Sequence, residues 1–277
     1  MNFLANKTFK KFRSSLLQAV GGLAILLGIL DVLFPNILAL EFSGIFWVSL
    51  VSLIWTIIQI IPKRKISRYL AESDTEIVIK VGDLFNEDSN LVIGMTDVFD
   101  TEKGDIIKSK SVQGQFLANI YGDNRARLDT ALSEALISVP SSRDSQKHKG
   151  KNMRYPIGTV ATLSVATKKY FCSAYSYMGN DLKAKSDISM LTSSLEMLWE
   201  EIRLKGQRGK IAMPVLGSDL ARINAVSSHS TYIKLIVSSF ILFSKQEKIS
   251  EQLTIVIHKD NLEKVNMLDL EDFLQNF

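Results

Sequence analysis

Two apolar runs near the start of the chain set the first limit on what it can fold into. Leu16 to Phe34 gives nineteen mostly apolar residues and Phe42 to Ile61 gives twenty. At roughly 1.5 Å of rise per residue, each is long enough for a hydrocarbon core of about 30 Å. They read as two membrane helices, and the link Pro35 to Glu41 is too short to be a domain, so the pair forms a hairpin. Lys7, Lys10, Lys11 and Arg13 precede the first run, Lys63, Arg64, Lys65 and Arg68 follow the second, and the link holds no basic residue. By the positive-inside rule this predicts a multi-pass protein of the cell membrane with both termini in the cytoplasm. A cleaved signal peptide is the other reading of the first run, but no A-x-A site follows it and a second apolar run does.

Polar residues within the runs are ordered. Ser49, Ser52, Thr56 and Gln59 are spaced three, four and three apart, on one face of a helix. Gly21, Ala24 and Gly28 form a small-residue side in the first run, suited to close helix packing. These faces either pack the hairpin against itself or, if several hairpins associate, line a shared interior with Gln18 and Asp31 near opposite ends. A lone hairpin cannot enclose a channel, so a pore requires a homo-oligomer.

The charge follows the same division. Residues 1 to 68 hold eight Lys or Arg against Asp31 and Glu41; of 33 basic and 29 acidic residues in all, 33 − 8 = 25 and 29 − 2 = 27 lie beyond position 68. The excess of positive charge thus flanks the apolar runs. A nucleic-acid partner would call for basic residues on the folded domain instead, and none is expected. The single cysteine, Cys172, sits in an apolar run and reads as a buried strand residue that can make no internal disulfide.

After a short amphipathic connector, Ile66 to Ser73, the periodicity changes. Strands are expected at Glu76–Phe85, Leu91–Thr96, Gly158–Val165, Lys169–Ser176, Lys210–Val215 and Leu253–His258. Helices are expected at Gln113–Tyr121, Asp123–Ser138, Asp187–Leu204, Ala225–Ser244 and Leu262–Leu274. In the third, Ile188, Leu191, Leu195, Leu198 and Ile202 share one side. Ser141 to Arg154 is polar, basic and aperiodic, and reads as a solvated loop. Strands interleaved with helices argue an α/β sandwich with a mainly parallel sheet over residues 75–277, distinct from the hairpin of residues 1–68.

In such a sheet ligands collect beyond the carboxyl ends of the strands. Asp83 ends the run VGDLF, Thr96 to Asp100 follow the second strand, and Ser111 to Phe116 and Gly217 to Arg222 each open a helix. A loop feeding a helix aims backbone N–H groups and the positive end of a helix dipole at one point, which suits phosphate. A neighbouring carboxylate suits a ribose hydroxyl or an amine. His148, His229 and His258 are far apart and lack metal-ligand spacing, and the chain has no G-x-S-x-G elbow, P-loop lysine or G-x-G-x-x-G. No catalytic residue, metal or cofactor is therefore expected.

The sequence motifs VGDLF, LVIGMTDVFDT, SVQGQF, YPIGTVATL and MPVLGSDLARIN, in that order, resemble the macro domain of membrane-anchored effectors of type II Thoeris anti-phage defence. The resemblance implies an α/β/α sandwich with a mixed sheet that binds ADP-ribose. It would place Asp83 and Leu84 at the adenine. Thr96, Asp97, Val98, Phe99 and Asp100 would lie beside the distal ribose and diphosphate with Ser111, Val112, Gln113, Gly114, Gln115 and Phe116. Leu216, Gly217, Ser218, Asp219, Leu220, Ala221 and Arg222 would run along the diphosphate. Hydrolytic macro domains carry an Asn-x-Ala-Asn run and a glycine triplet, where this chain has Gly94-Met95-Thr96-Asp97 and Ser111-Val112-Gln113-Gly114. The departure favours a sensor over an enzyme. The family implies a TIR-domain enzyme that makes the signal from NAD, a histidine conjugate of ADP-ribose as that signal, and damage to the membrane lipid as the response. A membrane-tethered ADP-ribosyl hydrolase and a plain ADP-ribose reader are the alternatives.

Overall fold

A computed structural model describes residues 13–25, 29, 49–56, 63–217 and 229–277. The chain divides into a unit ending at Lys63 and a unit from Arg64 to Phe277. In the first, residues 13–25 (α1) and 49–56 (α2) are helical. Of the polar stripe, Ser52 and Thr56 are buried, and the Thr56 hydroxyl donates to the Ser52 carbonyl at 2.7 Å, one turn back. A hydroxyl bonded to its own helix needs no outside partner, so the stripe is at least partly satisfied within α2. Among the described residues no helix is long and apolar enough to cross a membrane; much of the expected spans 16–34 and 42–61 lies outside those residues.

The second unit is built on an eight-stranded mixed sheet. Its strands are β1 (Lys65–Leu70), β2 (Thr75–Val81), β3 (Asn90–Thr96), β6 (Val160–Val165), β7 (Lys168–Met178), β8 (Ala184–Lys185), β9 (Ile211–Pro214) and β10 (Gln252–Ile257). They run in the order β1-β2-β10-β9-β3-β7-β6, with β8 paired to β7. The pairs from β2 through β10, β9 and β3 to β7 are parallel, while β1 and β6 close the edges antiparallel. The inner strands read as near-continuous apolar runs, as strands covered on both faces must. Five helices supply that cover: α3 (Val112–Tyr121), α4 (Arg125–Ala135), α5 (Ile188–Lys205), α6 (His229–Ser244) and α7 (Met267–Leu274). One core joins Phe116, Leu117, Leu128 and Leu132 of α3 and α4 to Leu91, Ile93 and Cys172 of the sheet. The other joins Leu195, Trp199, Ile233, Phe240 and Leu270 of α5, α6 and α7 to Ile77, Val92 and Ile255. Successive residues Val92 and Ile93 thus point into opposite cores, which is the period-2 pattern of a strand.

Several expected elements change in the structure. Ile66 to Ser73 holds an edge strand rather than an amphipathic connector: Ile66 and Leu70 are buried at spacing four, which serves strand and helix alike, and pairing with β2 decides it. The strand expected to reach Phe85 stops at Val81, and Leu84–Asn86 is a 3-10 turn capped by Asp83. The closing helix expected from Leu262 is a 3-10 turn, Lys259–Lys264, followed by α7, because Asn266 caps a new helix with its side chain. Ile188 is exposed, not on the apolar side of α5. The stretch 141–154 is largely exposed, as a solvated loop is, but it is ordered at its base, where Ser142–Arg143 (β4) pairs with Met153–Arg154 (β5), and Lys147 between them is buried.

The helical layer over the second core is locked by one aromatic pair. Trp199 and Phe240 meet edge to face at 5.1 Å between ring centroids, and the indole N–H donates to Ser239 Oγ at 2.8 Å. Phe240→Ala is expected to cost about 3–5 kcal/mol, read as a lowered urea midpoint by circular dichroism of the full chain. A loss below about 1 kcal/mol would show that the layer repacks around the cavity.

Candidate functional site

The parallel strands β2, β9 and β10 present their carboxyl ends together, and a cleft opens there with a volume of about 100 Å³. Gly82 to Phe85 leave β2, Pro214 and Val215 end β9, and Val256, Ile257 and His258 end β10. Val112 and Gln115 of α3, His229 of α6 and Asn261 of the 3-10 turn complete the wall. Each polar group is held by a local reason. Asp83 caps the turn after β2, its Oδ1 accepting the Phe85 N–H at 2.9 Å, and its carboxylate stays exposed to the cleft. His258 caps the turn after β10, with Nδ1 3.4 Å from the Asp260 nitrogen. Gln115 is steadied by a bond from its amide to the Lys110 carbonyl at 2.9 Å.

The start of α3 is packed tightly. Ser111 caps it, accepting the Gly114 N–H at 3.1 Å and donating to the Lys108 carbonyl at 2.7 Å. The first N–H groups of a helix have no partner within it, so α3 begins beside the cleft, at the lining residue Val112, with its N-terminal donors. Gly114 is needed for space: a Cβ there would lie 2.4 Å from the Lys108 carbonyl oxygen. Phe116 is fully buried in the core.

Of the residues singled out in the sequence, Asp83, Leu84, Val112 and Gln115 line the cleft. Leu216 is buried, and Gly217 adopts φ +84°, a left-handed turn that glycine takes without strain. Ser218, Asp219, Leu220, Ala221 and Arg222 lie outside the described residues. Thr96 to Asp100 are not part of the cleft wall, and the side chains of Asp97 and Asp100 are engaged within the protein. Asp97 accepts the Met178 N–H at 2.9 Å and pairs with Arg154, which also binds Asp144 at 2.8 Å and lies 4.1 Å over the Tyr177 ring. Val98 packs with Met178 and Ala184, and Phe99 meets Tyr155 edge to face at 5.5 Å. Gln113 donates to the Asp100 carbonyl, tying α3 to this loop.

Asp100 is the most constrained of these groups. Its Oδ1 accepts the Lys151 N–H at 2.6 Å, and its Oδ2 lies 3.6 Å from the Lys147 ammonium, with both side chains almost wholly buried. Burial raises the Asp100 pKa, against the Lys151 N–H and the charges of Lys147 and Lys151. Lys147, from the basic run of residues 147–151, is therefore the internal counter-charge to Asp100.

Sequence reasoning missed His229, His258, Asn261, Pro214 and Val256 as cleft residues. The rule that places ligands at the carboxyl ends of parallel strands would have reached His258, which follows β10 directly. Nothing local marks His229, which the fold brings round from α6. No group of three His, Cys, Asp or Glu side chains that could hold a metal ion occurs among the described residues.

The comparisons with known proteins agree with this geometry. The sequence profile of the family described as Thoeris protein ThsA, Macro domain, matches residues 77–258. The chain belongs to this family. The Thoeris protein ThsA of Bacillus amyloliquefaciens (strain Y2) is 24% identical over 234 residues, spanning 82% of this chain and 77% of that protein. Among solved structures, a point mutant of the Oceanobacillus iheyensis macrodomain superposes with a TM-score of 0.53 at 12% identity, covering 77% of this chain and 99% of its own. The same macrodomain with ADP gives 0.51 at 13% identity, covering 78% and 100%. The shared fold is thus the macro-domain sandwich, laid over nearly the whole of those smaller proteins.

The Asp100–Lys147 pair yields a direct test. Asp100→Asn leaves a buried ammonium without its counter-charge and is expected to cost about 3–5 kcal/mol. Asp100→Asn combined with Lys147→Met removes both charges and should recover most of that loss, read as thermal midpoints of the two variants. Equal losses in the single and double variants would mean that the uncompensated Lys147 charge is not what destabilises Asp100→Asn.

Proposed function

We propose that this chain is an anti-phage defence effector whose macro domain binds an ADP-ribose-derived nucleotide, such as a histidine conjugate, made by a TIR-domain enzyme. In this reading the bound domains associate, and the two apolar runs act as a membrane hairpin that disrupts the bilayer. The observation that carries the binding step is the cleft at the carboxyl ends of β2, β9 and β10, bordered by the exposed carboxylate of Asp83 and the start of α3. Membership of the ThsA macro-domain family and the ADP-bound structure of a macrodomain with the same fold support it.

The parts divide by chemistry. Asp83 offers an acceptor for an amine or ribose hydroxyl, while the α3 amides offer donors for a phosphate oxygen. Val112, Leu84 and Val256 supply the apolar surface on which a base can rest. At about 100 Å³ the cleft is smaller than the roughly 300–1,000 Å³ of ordinary small-molecule sites. It suits one end of a dinucleotide-sized ligand, with the remainder extending along its rim. Binding drives association only if the nucleotide prefers the associated state, so ligand and assembly must strengthen one another.

The reading favours a sensor over a hydrolase because the loop after β3 commits its acids elsewhere. Asp97 is bound to Arg154 and Asp100 to Lys147 and Lys151, which leaves neither as a ready base for water. Incubation with mono-ADP-ribosylated protein is expected to give stoichiometric binding without release of ADP-ribose; catalytic turnover would establish the hydrolase instead.

Two measurements test the rest. Calorimetry of the full chain in detergent should show binding of ADP-ribose, and Asp83→Ala should weaken it about tenfold, the loss of one hydrogen bond to a charged group. No heat with any ADP-ribose derivative would end the sensor reading. Liposomes carrying the full chain should release dye only when ligand is added, and leakage that ignores ligand would refute gating.

A further inference from the structure

The two edges of the sheet are built differently. β1 carries Lys65 and Arg68, both exposed, and charge on an edge strand discourages another strand from adding to it. β6, with the sequence VATLSV, ends the sheet on the other side and carries no charge, proline or glycine. Its hydrogen-bonding direction follows from the ladder. The Ala174 N–H reaches the Thr159 carbonyl at 2.9 Å, and partners Ala161↔Cys172 and Leu163↔Tyr170 follow at steps of two. Antiparallel strands alternate in the edge to which their backbone groups point. Ala161, Leu163 and Val165 therefore bond β7, and Val160, Thr162 and Ser164 turn their N–H and C=O groups outward.

A helix runs alongside this open edge. Thr162 Oγ1 lies 2.6 Å from Glu201 Oε1, Lys169 donates to the Lys205 carbonyl, and a Cβ on Gly158 would sit 3.0 Å from Met197 Cγ. From Met197 to Lys205, α5 thus runs beside the β6–β7 edge of the sheet, touching β6 itself at Thr162. Its outer crest is apolar at both ends, with Met197 55% and Leu204 60% exposed. The charges along it are already answered within the helix, Glu200 by Arg203 at 2.6 Å and Lys205 by Glu201 at 2.6 Å.

We propose that β6 is a homotypic interface, in which two copies of this chain pair their β6 strands antiparallel about a twofold axis and join their sheets edge to edge. An outward row of backbone donors and acceptors is completed by a strand and by little else. The partner is a second copy because the surface is complementary to itself. Centring the axis on Thr162 sets Val160 of one copy opposite Ser164 of the other, which matches the whole outward row. The same operation brings the exposed Met197 of one α5 towards the exposed Leu204 of its partner, apolar side chain against apolar side chain. A twofold contact of this kind closes on itself, so it yields a dimer and not a fibre.

The inference rests on the assembly step proposed above and gives it a surface. Its test uses the full chain in detergent, where Cys172 is fully buried and does not compete. Val160→Cys with Ser164→Cys should form a disulfide-linked dimer under mild oxidation, and adding ADP-ribose should raise the yield. Tyr69→Cys, exposed on the charged edge β1, should not. Ser164→Pro removes an outward N–H without touching the β7 ladder, so it should lower the sedimenting mass of the wild-type dimer while leaving the thermal midpoint and nucleotide binding in place. Absence of the disulfide while sedimentation still shows an oligomer would overturn the β6 contact and leave assembly standing. A monomer at every nucleotide concentration would overturn both. Equal cross-linking from Tyr69→Cys, or capture of a different protein through β6, would overturn the homotypic pairing.

Discussion

A parallel strand with apolar side chains on both faces is stable only when both faces are covered, and β3 and β10 impose that condition on the folded unit. α3 and α4 close one face while α5, α6 and α7 close the other, giving two separate cores divided by the sheet. The same condition places the cleft. Each parallel strand must return to the other end through a crossover, so loops leaving the carboxyl ends gather at one rim. Asp83, His258 and the start of α3 meet there because of strand direction, although they are far apart in sequence.

How far the fold could be read in advance depended on whether the deciding force was local. Helices α3, α5 and α6 have long apolar stripes, and the strands β3, β7 and β10 have continuous apolar runs, so their existence followed from pattern alone. β1 did not, because Ile66 and Leu70 fit a helix or a strand equally and only pairing with β2 separates the two. The cleft was legible where loop chemistry marks it, at Asp83 and at Val112 to Gln115. It was not legible at His229, whose place depends on the packing of α6. Length was a further obstacle: a polar segment such as 141–154 has no periodicity, and its order comes from ion pairs that sequence spacing does not reveal.

Those ion pairs change the meaning of the loop after β3. Asp97 and Asp100 have the composition of ligand contacts, yet each is answered by a basic residue from the segment 147–154. Pairing two buried charges does not stabilise a fold cheaply, since desolvation offsets much of the attraction. What it does provide is a fixed shape: Lys147, Lys151 and Arg154 each reach a different carboxylate, and Gln113 links the same loop to α3. The loop beside α3 is thereby held by a polar network, in addition to the apolar core that anchors the cleft residues Leu84 and Val256.

β1 has a mechanical consequence. It opens the folded unit at Lys65, directly after the basic flank of the second apolar run, and it pairs with β2 through six successive residue partners from Lys65↔Lys80 to Leu70↔Thr75. A force reaching the unit through residue 64 therefore arrives at the end of a strand. Directed along the strand, it loads the whole ladder in shear and the bonds share it; directed sideways, it opens them one at a time as a zipper. The β1–β2 ladder thus resists load along its own axis more than load across it.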